Sequence, residues 1–223
     1  MFIRKPFCML AFMPTDSLEA DLAQEIESLP FGEGEIERLQ KIKNPSALKN
    51  SLAAMLCLKN SLAAIEINTA NSDLTILRDK YGKPYFKSLP LCFSITHSAD
   101  LCALALSDKN VGIDLEFYSE KRNYISVAKR FFNAEQYEGI CRSATPELDF
   151  LAVWTKKEAL GKLCGKGLSY ICSSDFNEKS HCFFKEYRVH YKNSTAFLSL
   201  CFDSENTQII IDNMHGLSLY EVQ

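Results

Sequence analysis

No stretch of this sequence approaches the roughly 18 consecutive apolar residues that a membrane-spanning helix needs. The apolar run from Phe7 to Met13 is short and bounded by Pro6 and Pro14, so it suits a first strand better than a signal peptide. Charge of one dominant sign is also missing: Lys+Arg is 25 against Asp+Glu 28, a formal net charge of -3. That balance excludes bulk attraction for nucleic acid or an anionic membrane, while leaving room for a local basic pocket. No two cysteines form a C-x-x-C pair, and no short Cys/His cluster has zinc-site spacing. The cysteines number nine, an odd count, and most lie in apolar runs such as Leu101-Cys102-Ala103-Leu104. They read as small hydrophobic fillers in a reducing cytosol, not as a disulfide scaffold. Internal repeats and low-complexity linkers are absent too. The expectation is a soluble, cytoplasmic protein.

What is present is a chain of 223 residues, 47% hydrophobic and 24% charged. That is enough for a real core, in one large domain or two lobes of roughly 110 residues. Asp16 and Ser17 offer caps for a helix bearing Leu18, Leu22, Ile26 and Leu29, closed by residues 30–34. Residues 35–43 read as a short polar helix. Asn44-Pro45-Ser46 starts a long one, with Leu52, Met55 and Leu62 on its apolar side. The period then changes, and strands are expected at 74–77, 91–97, 101–106 and 111–116, with residues 107–110 as a hairpin turn between the last two. Helical pattern returns at 125–132, 134–142 and 146–164, and the tail reads as strands near 182–191, 195–202, 207–212 and 217–222. The order implies an α+β fold of two similar lobes, residues 1–107 and 108–223, meeting at the turn. Lobe interfaces are favoured places for ligand sites.

Three constellations carry possible chemistry. In Val111-Gly112-Ile113-Asp114-Leu115-Glu116, strand alternation puts both carboxylates on one face. They are either an exposed strand face or the oxygen ligands of a hard metal such as Mg²⁺. In Trp154-Thr155-Lys156-Lys157-Glu158-Ala159-Leu160-Gly161-Lys162, Glu158 and Lys162 are one helical turn apart. They form either an ordinary surface pair or a third metal carboxylate with a phosphate-facing lysine. Tyr81-Gly82-Lys83-Pro84 and Phe93-Ser94-Ile95-Thr96-His97-Ser98 supply a lysine on a glycine turn and a histidine between two hydroxyls. Such a histidine is either structural or part of a ligand site.

Together, in this order, these motifs resemble the 4′-phosphopantetheinyl transferases of the monomeric, two-lobed type that serve peptide and polyketide synthetases. The resemblance also uses Arg130-Phe131-Phe132 with Glu135, and Gly165-Lys166-Gly167-Leu168, and spans residues 81 to 168. It implies two α+β lobes related by a pseudo-two-fold, with the site between them. It implies transfer of the phosphopantetheine arm of coenzyme A to a serine of an apo acyl or peptidyl carrier protein, releasing 3′,5′-ADP. Mg²⁺, with Mn²⁺ as a substitute, would be held by Asp114, Glu116 and Glu158. Lys162 matches a lysine on the phosphates, and Glu158 is the expected acceptor of the serine proton. Glu135 matches an acidic position near the metal loop. Lys83, Pro84, Thr96 and His97 match residues around coenzyme A, and Arg38, Lys41 and Ser51 are candidates for its 3′-phosphate. Glu35 and Asn50 stand where the family usually carries basic residues. Lys121, Arg122, Lys129 and Arg130 are either a carrier-facing basic surface or a solvated helix face. Nucleic acid and membrane are not expected partners.

Overall fold

The computed structural model describes residues 5–16, 18, 21–69, 71–167, 182–212 and 216–222. Ser17 and Leu168, which figure in the reading above, and one of the nine cysteines, Cys172, lie outside the described residues.

Strand β1 (Phe7–Pro14) is followed by α1 (Leu22–Glu27), α2 (Glu33–Gln40) and α3 (Pro45–Ala64). The first helix starts later than the sequence suggests. Its cap is Asp21, whose Oδ1 accepts from the Ala23 N–H at 3.0 Å, while Asp16 is ion-paired with Lys192. Asn44 caps α3 as expected, accepting from the Ala47 N–H at 3.0 Å, and Pro45 occupies the first turn, where no N–H is missed. Next come β2 (Ile76–Arg78), β3 (Pro84–Phe86), β4 (Cys92–Ser98), β5 (Leu101–Ser107) and β6 (Val111–Phe117). Helices α4 (Tyr124–Phe131), α5 (Ala134–Arg142) and α6 (Pro146–Cys164) precede the tail strands β7 (Phe183–Tyr191), β8 (Ser194–Phe202), β9 (Gln208–Ile211) and β10 (Leu217–Glu221). Among the described residues, no helix is long and apolar enough to cross a membrane.

Among the described residues, the strands form two four-stranded sheets, β4-β5-β1-β9 and β10-β7-β8-β6, plus the β2-β3 hairpin. Alternation distributes the core. In β1 and β5, Met9, Ala11, Cys102, Leu104 and Leu106 face a core shared with α3, while Leu10, Phe12, Leu101, Ala103 and Ala105 face the second sheet. The second sheet answers with Ile113, Leu115, Val189, Leu198 and Leu200. Each sheet is therefore buried on both faces around its centre, which is why β5 reads as an unbroken apolar run.

Two sequence expectations change. Residues 107–110 do not close a hairpin: β5 pairs with β4 and β1, whereas β6 pairs with β8, so the turn crosses from one sheet to the other. The chain also returns: β9 runs parallel to β1 and forms an edge of the first sheet. A division at 107/108 thus leaves one strand of the first sheet in the second half. A strand's apolar pattern says that it pairs, not with which sheet.

The sheet edges β4 and β6 meet in an unusual way. The hydroxyls of Ser94, Thr96 and Ser98 accept from the backbone N–H groups of Ile113, Leu115 and Phe117 at 3.2, 3.3 and 3.2 Å. Alternate side chains of one strand replace the backbone ladder, so the donors of the β6 edge are satisfied without a continuous sheet. Cys8, Cys57, Cys92, Cys102, Cys141, Cys164 and Cys201 are in no disulfide among the described residues, and burial pushes the Cys102 thiol up to about 12.

Candidate functional site

The seam fixes where the acids lie. Asp114 sits on the face of β6 that α6 covers, not on an open strand face, and is 6% exposed. Gly112 lets α6 approach this closely, because a Cβ there would meet backbone atoms of α6. The helix thereby brings Lys162 onto the strand: its Nζ lies 2.8 Å from Asp114 Oδ1. Thr96 donates to the same oxygen at 3.0 Å. Asp114 Oδ2 is buried and, among the described residues, has no hydrogen-bond partner.

Burial pushes the Asp114 carboxyl above its ordinary value, against the pull of Lys162, and Glu116 adds to the rise. Glu158 is raised for the same reasons: burial first, then the charge of Asp114, with Lys162 opposing. Glu116 donates nothing and accepts from Ser98 at 3.1 Å and Arg122 at 3.3 Å. Asp114, Glu116, Glu158 and Lys162 are thus one electrostatic cluster. Among the described residues, no three acids already stand in a preformed metal cluster. The donor set nevertheless fits a hard divalent cation, which favours carboxylate oxygen, and the unpartnered Oδ2 of Asp114 is an atom such an ion would satisfy.

A cavity of about 360 Å³ opens beside this cluster, within the range of small-molecule sites. Its wall comes from both halves of the chain: Arg38, Ser51, Arg78, Lys83, His97 and Lys162 are among the lining residues, and among the described residues no acid lines it. Pro84 and Asn50 also reach it. Asn50 Nδ2 lies 3.4 Å from His97 Nδ1. Burial holds His97 below the ordinary imidazole value, Lys162 pushes the same way, and Glu116 opposes.

Several expected residues land elsewhere or do more than expected. Thr96 is not on the cavity wall: it is 4% exposed and serves the seam and Asp114. Lys41 is exposed, paired with Glu37 at 3.0 Å, and does not line the cavity. Glu135 is exposed on the first turn of α5. Lys83 lines the cavity, but its Nζ also donates to Asn110 Oδ1 at 2.8 Å and to the Leu163 carbonyl at 2.9 Å. It ties the first half of the chain to the end of α6, and burial lowers its ammonium below the ordinary value. Phe132, Phe150 and Trp154 stack, with ring centroids 5.1 and 5.5 Å apart, so the motif residues Phe132 and Trp154 seat α6. Arg122 serves Glu116, while Lys121, Lys129 and Arg130 remain exposed. Arg78 was not foreseen as a site residue. Its signal is faint: a charged end to a three-residue strand.

The comparisons with known proteins agree with the motifs. Residues 110–213 match the model of the 4′-phosphopantetheinyl transferase superfamily. The 4′-phosphopantetheinyl transferase of Bacillus pumilus is 38% identical over 96 residues, 42% of this chain and 40% of that protein. Its counterpart in Aneurinibacillus migulanus is 33% identical over 128 residues, 56% of this chain and 52% of that protein. The 4′-phosphopantetheinyl transferase AcpT of Escherichia coli is 34% identical over 116 residues, 48% of this chain and 60% of that protein. The chain spans about half the length of the curated relatives it matches.

Proposed function

We propose that this chain, which resembles the 4′-phosphopantetheinyl transferases, transfers the phosphopantetheine arm of coenzyme A to a serine of an apo acyl or peptidyl carrier protein. The reaction depends on Mg²⁺, or Mn²⁺ in its place, and releases 3′,5′-ADP. The observation that carries this reading is the cluster of Asp114, Glu116, Glu158 and Lys162 beside a cavity whose charged lining, among the described residues, is basic. Both halves of the chain contribute to that cavity, which supports a monomer as the working form. The free thiols support a reducing cytoplasm.

Asp114, Glu116 and Glu158 would hold the metal. When bound, it supplies neutralisation of the pyrophosphate and of the charge growing on the leaving group. The basic wall receives the cofactor's phosphates through Arg38, Lys83 and Lys162. The serine oxygen attacks the β-phosphorus, and the bond from that phosphorus to the oxygen of the nucleotide phosphate breaks. Glu158 takes the serine proton on a carboxylate oxygen, a role helped by a carboxyl already raised by burial. Lys162 turns from Asp114 toward the departing phosphate and balances its charge. Holding the two substrates together supplies much of the remaining rate.

Incubation with coenzyme A, Mg²⁺ and an apo carrier tests this directly. The carrier should gain the mass of one phosphopantetheinyl group, with 3′,5′-ADP released in equal amount. No mass gain across carriers of fatty acid, polyketide and peptide synthesis refutes it. Release of 3′,5′-ADP without an acceptor would identify a pyrophosphate hydrolase instead.

A further inference from the structure

Thr155 sits on α6 one turn before Glu158, and the spacing places Thr155, Glu158 and Lys162 on one face of the helix. Ser199 lies on β8 in register with Asp114 on β6, so both side chains point to the face of the sheet that α6 covers. Thr155, Ser199 and Asp114 are all buried. The Thr155 and Ser199 hydroxyl oxygens are 2.8 Å apart.

The neighbouring carbonyls set the direction of that bond. Thr155 has one hydroxyl proton, and the carbonyls of Leu151 and Ala152 stand 3.0 and 3.3 Å from its Oγ1. A carbonyl only accepts, so the Thr155 proton goes back to the helix, as it commonly does for a threonine inside one. Ser199 is then the donor and Thr155 its acceptor. Across the ladder, Asp114 Oδ1 takes bonds from Thr96 and Lys162, while its buried Oδ2 takes none among the described residues. Directly opposed strand residues carry Cβ atoms about 4.5–5.5 Å apart, a gap that a serine hydroxyl bridges by changing rotamer. Without Thr155 to receive it, the Ser199 proton would turn to Oδ2, because a buried hydroxyl and a buried carboxylate oxygen each demand a partner.

We propose that Thr155 is a positioning residue: it withholds the Ser199 proton from Asp114 and so keeps Asp114 Oδ2 open as a ligand for a divalent cation. Resting on the metal ligands proposed above, the pair acts by engaging a competing donor and touches neither cation nor substrate. A charge-assisted hydrogen bond on Oδ2 would have to break before a cation could take that oxygen.

The test is titration of the full chain with Mn²⁺ alone, the free ion being counted by electron paramagnetic resonance. The parent should bind Mn²⁺. Thr155→Val keeps the side-chain shape and removes the acceptor, and its affinity should fall on the order of tenfold, as for one hydrogen bond to a charged group. Thr155→Ala, which places no methyl against Ser199, carries the same expectation should the Val variant fail to fold. Thr155→Ser keeps the acceptor and should bind as the parent does. Ser199→Ala removes the donor and should stay within about twofold of the parent. Combined with Thr155→Val, it should restore the lost affinity, since no proton remains to cap Oδ2. A merely structural role gives the opposite order, with losses that accumulate and the double variant weakest. A double variant no tighter than Thr155→Val overturns the inference, and so does parental affinity in Thr155→Val. A parent that takes up no Mn²⁺ yet modifies a carrier with coenzyme A and Mg²⁺ overturns this inference alone. A parent that does neither overturns the proposed function as well.

Discussion

A Cβ on Gly112 would stand 1.9 Å from the Ala159 carbonyl oxygen and 2.6 Å from the Leu163 nitrogen. Strand β6 and helix α6 touch backbone to backbone at the point that sets Lys162 against Asp114. Gly112→Ala therefore forces the helix away. The expected cost is about 3 kcal/mol, the upper end for overpacking, because the obstacle is main chain. Chemical denaturation measures it, and a variant with parental stability and turnover would refute the contact.

Thr96 gives the seam its link to the site. Thr96→Val keeps the shape but removes an acceptor from the Leu115 N–H and a donor from Asp114. About 1–3 kcal/mol of stability should be lost, since a buried donor is left without a partner. Turnover should fall with it, and Thr96→Ser should restore most of both. A Val variant as active and stable as the parent would contradict the seam.

Lys83 should prove a structural tie as well as a cavity residue. Lys83→Ala removes the hydrogen bonds to Asn110 and the Leu163 carbonyl, although Asn110 Nδ2 still donates to that carbonyl at 3.1 Å. A loss of about 1–2 kcal/mol is expected, below the full value for a charged donor because the lysine is not wholly enclosed. Urea unfolding distinguishes this from an effect on coenzyme A alone.

Burial raises the Asp114 carboxyl, as it does that of Glu158. Its raised value means that the site as a whole disfavours the charge, Lys162 included. Asp114→Asn should therefore be at least as stable as the parent at neutral pH. Turnover should drop on the order of 10²–10³, as for the loss of a single electrostatic stabiliser. A destabilised but active variant would invert both expectations.

His97 gives a pH signature. Its folded value lies below the ordinary 6.5, so in the window just below 6.5 the unfolded chain binds more protons than the folded one. Its contribution to stability is present above 6.5 and is lost as pH falls through that window. The imidazole should titrate by nuclear magnetic resonance with a midpoint under 6.5, and the slope should disappear in His97→Gln. A midpoint at or above 6.5 would refute the burial argument.

Much of the fold was legible because local pattern is physical. The cap at Asn44, the helical periods of α3 and α6, and the shared face of Asp114 and Glu116 on β6 all appear as the sequence implies. The acids and Lys162 were legible because their spacing on one strand and one helix is fixed by backbone geometry. Glu35 with Arg78 was not, since nothing local ties residues 43 apart. Neither was the role of Ser94, Thr96 and Ser98, whose partners lie 19 residues on in another sheet.

The sequence alone thus determined most of the elements and the α+β class, because these follow from periods of two or 3.6 residues. Tertiary structure decided the partners. It sent β9 back to β1, turned a supposed hairpin into a crossing between sheets, and moved Thr96 from the cavity to the seam. It also made Glu35 the anchor of two arginines. The physical reason is that strand pairing and buried ion pairs are satisfied across space. An N–H edge or a buried carboxylate demands a partner, but only packing selects which one arrives.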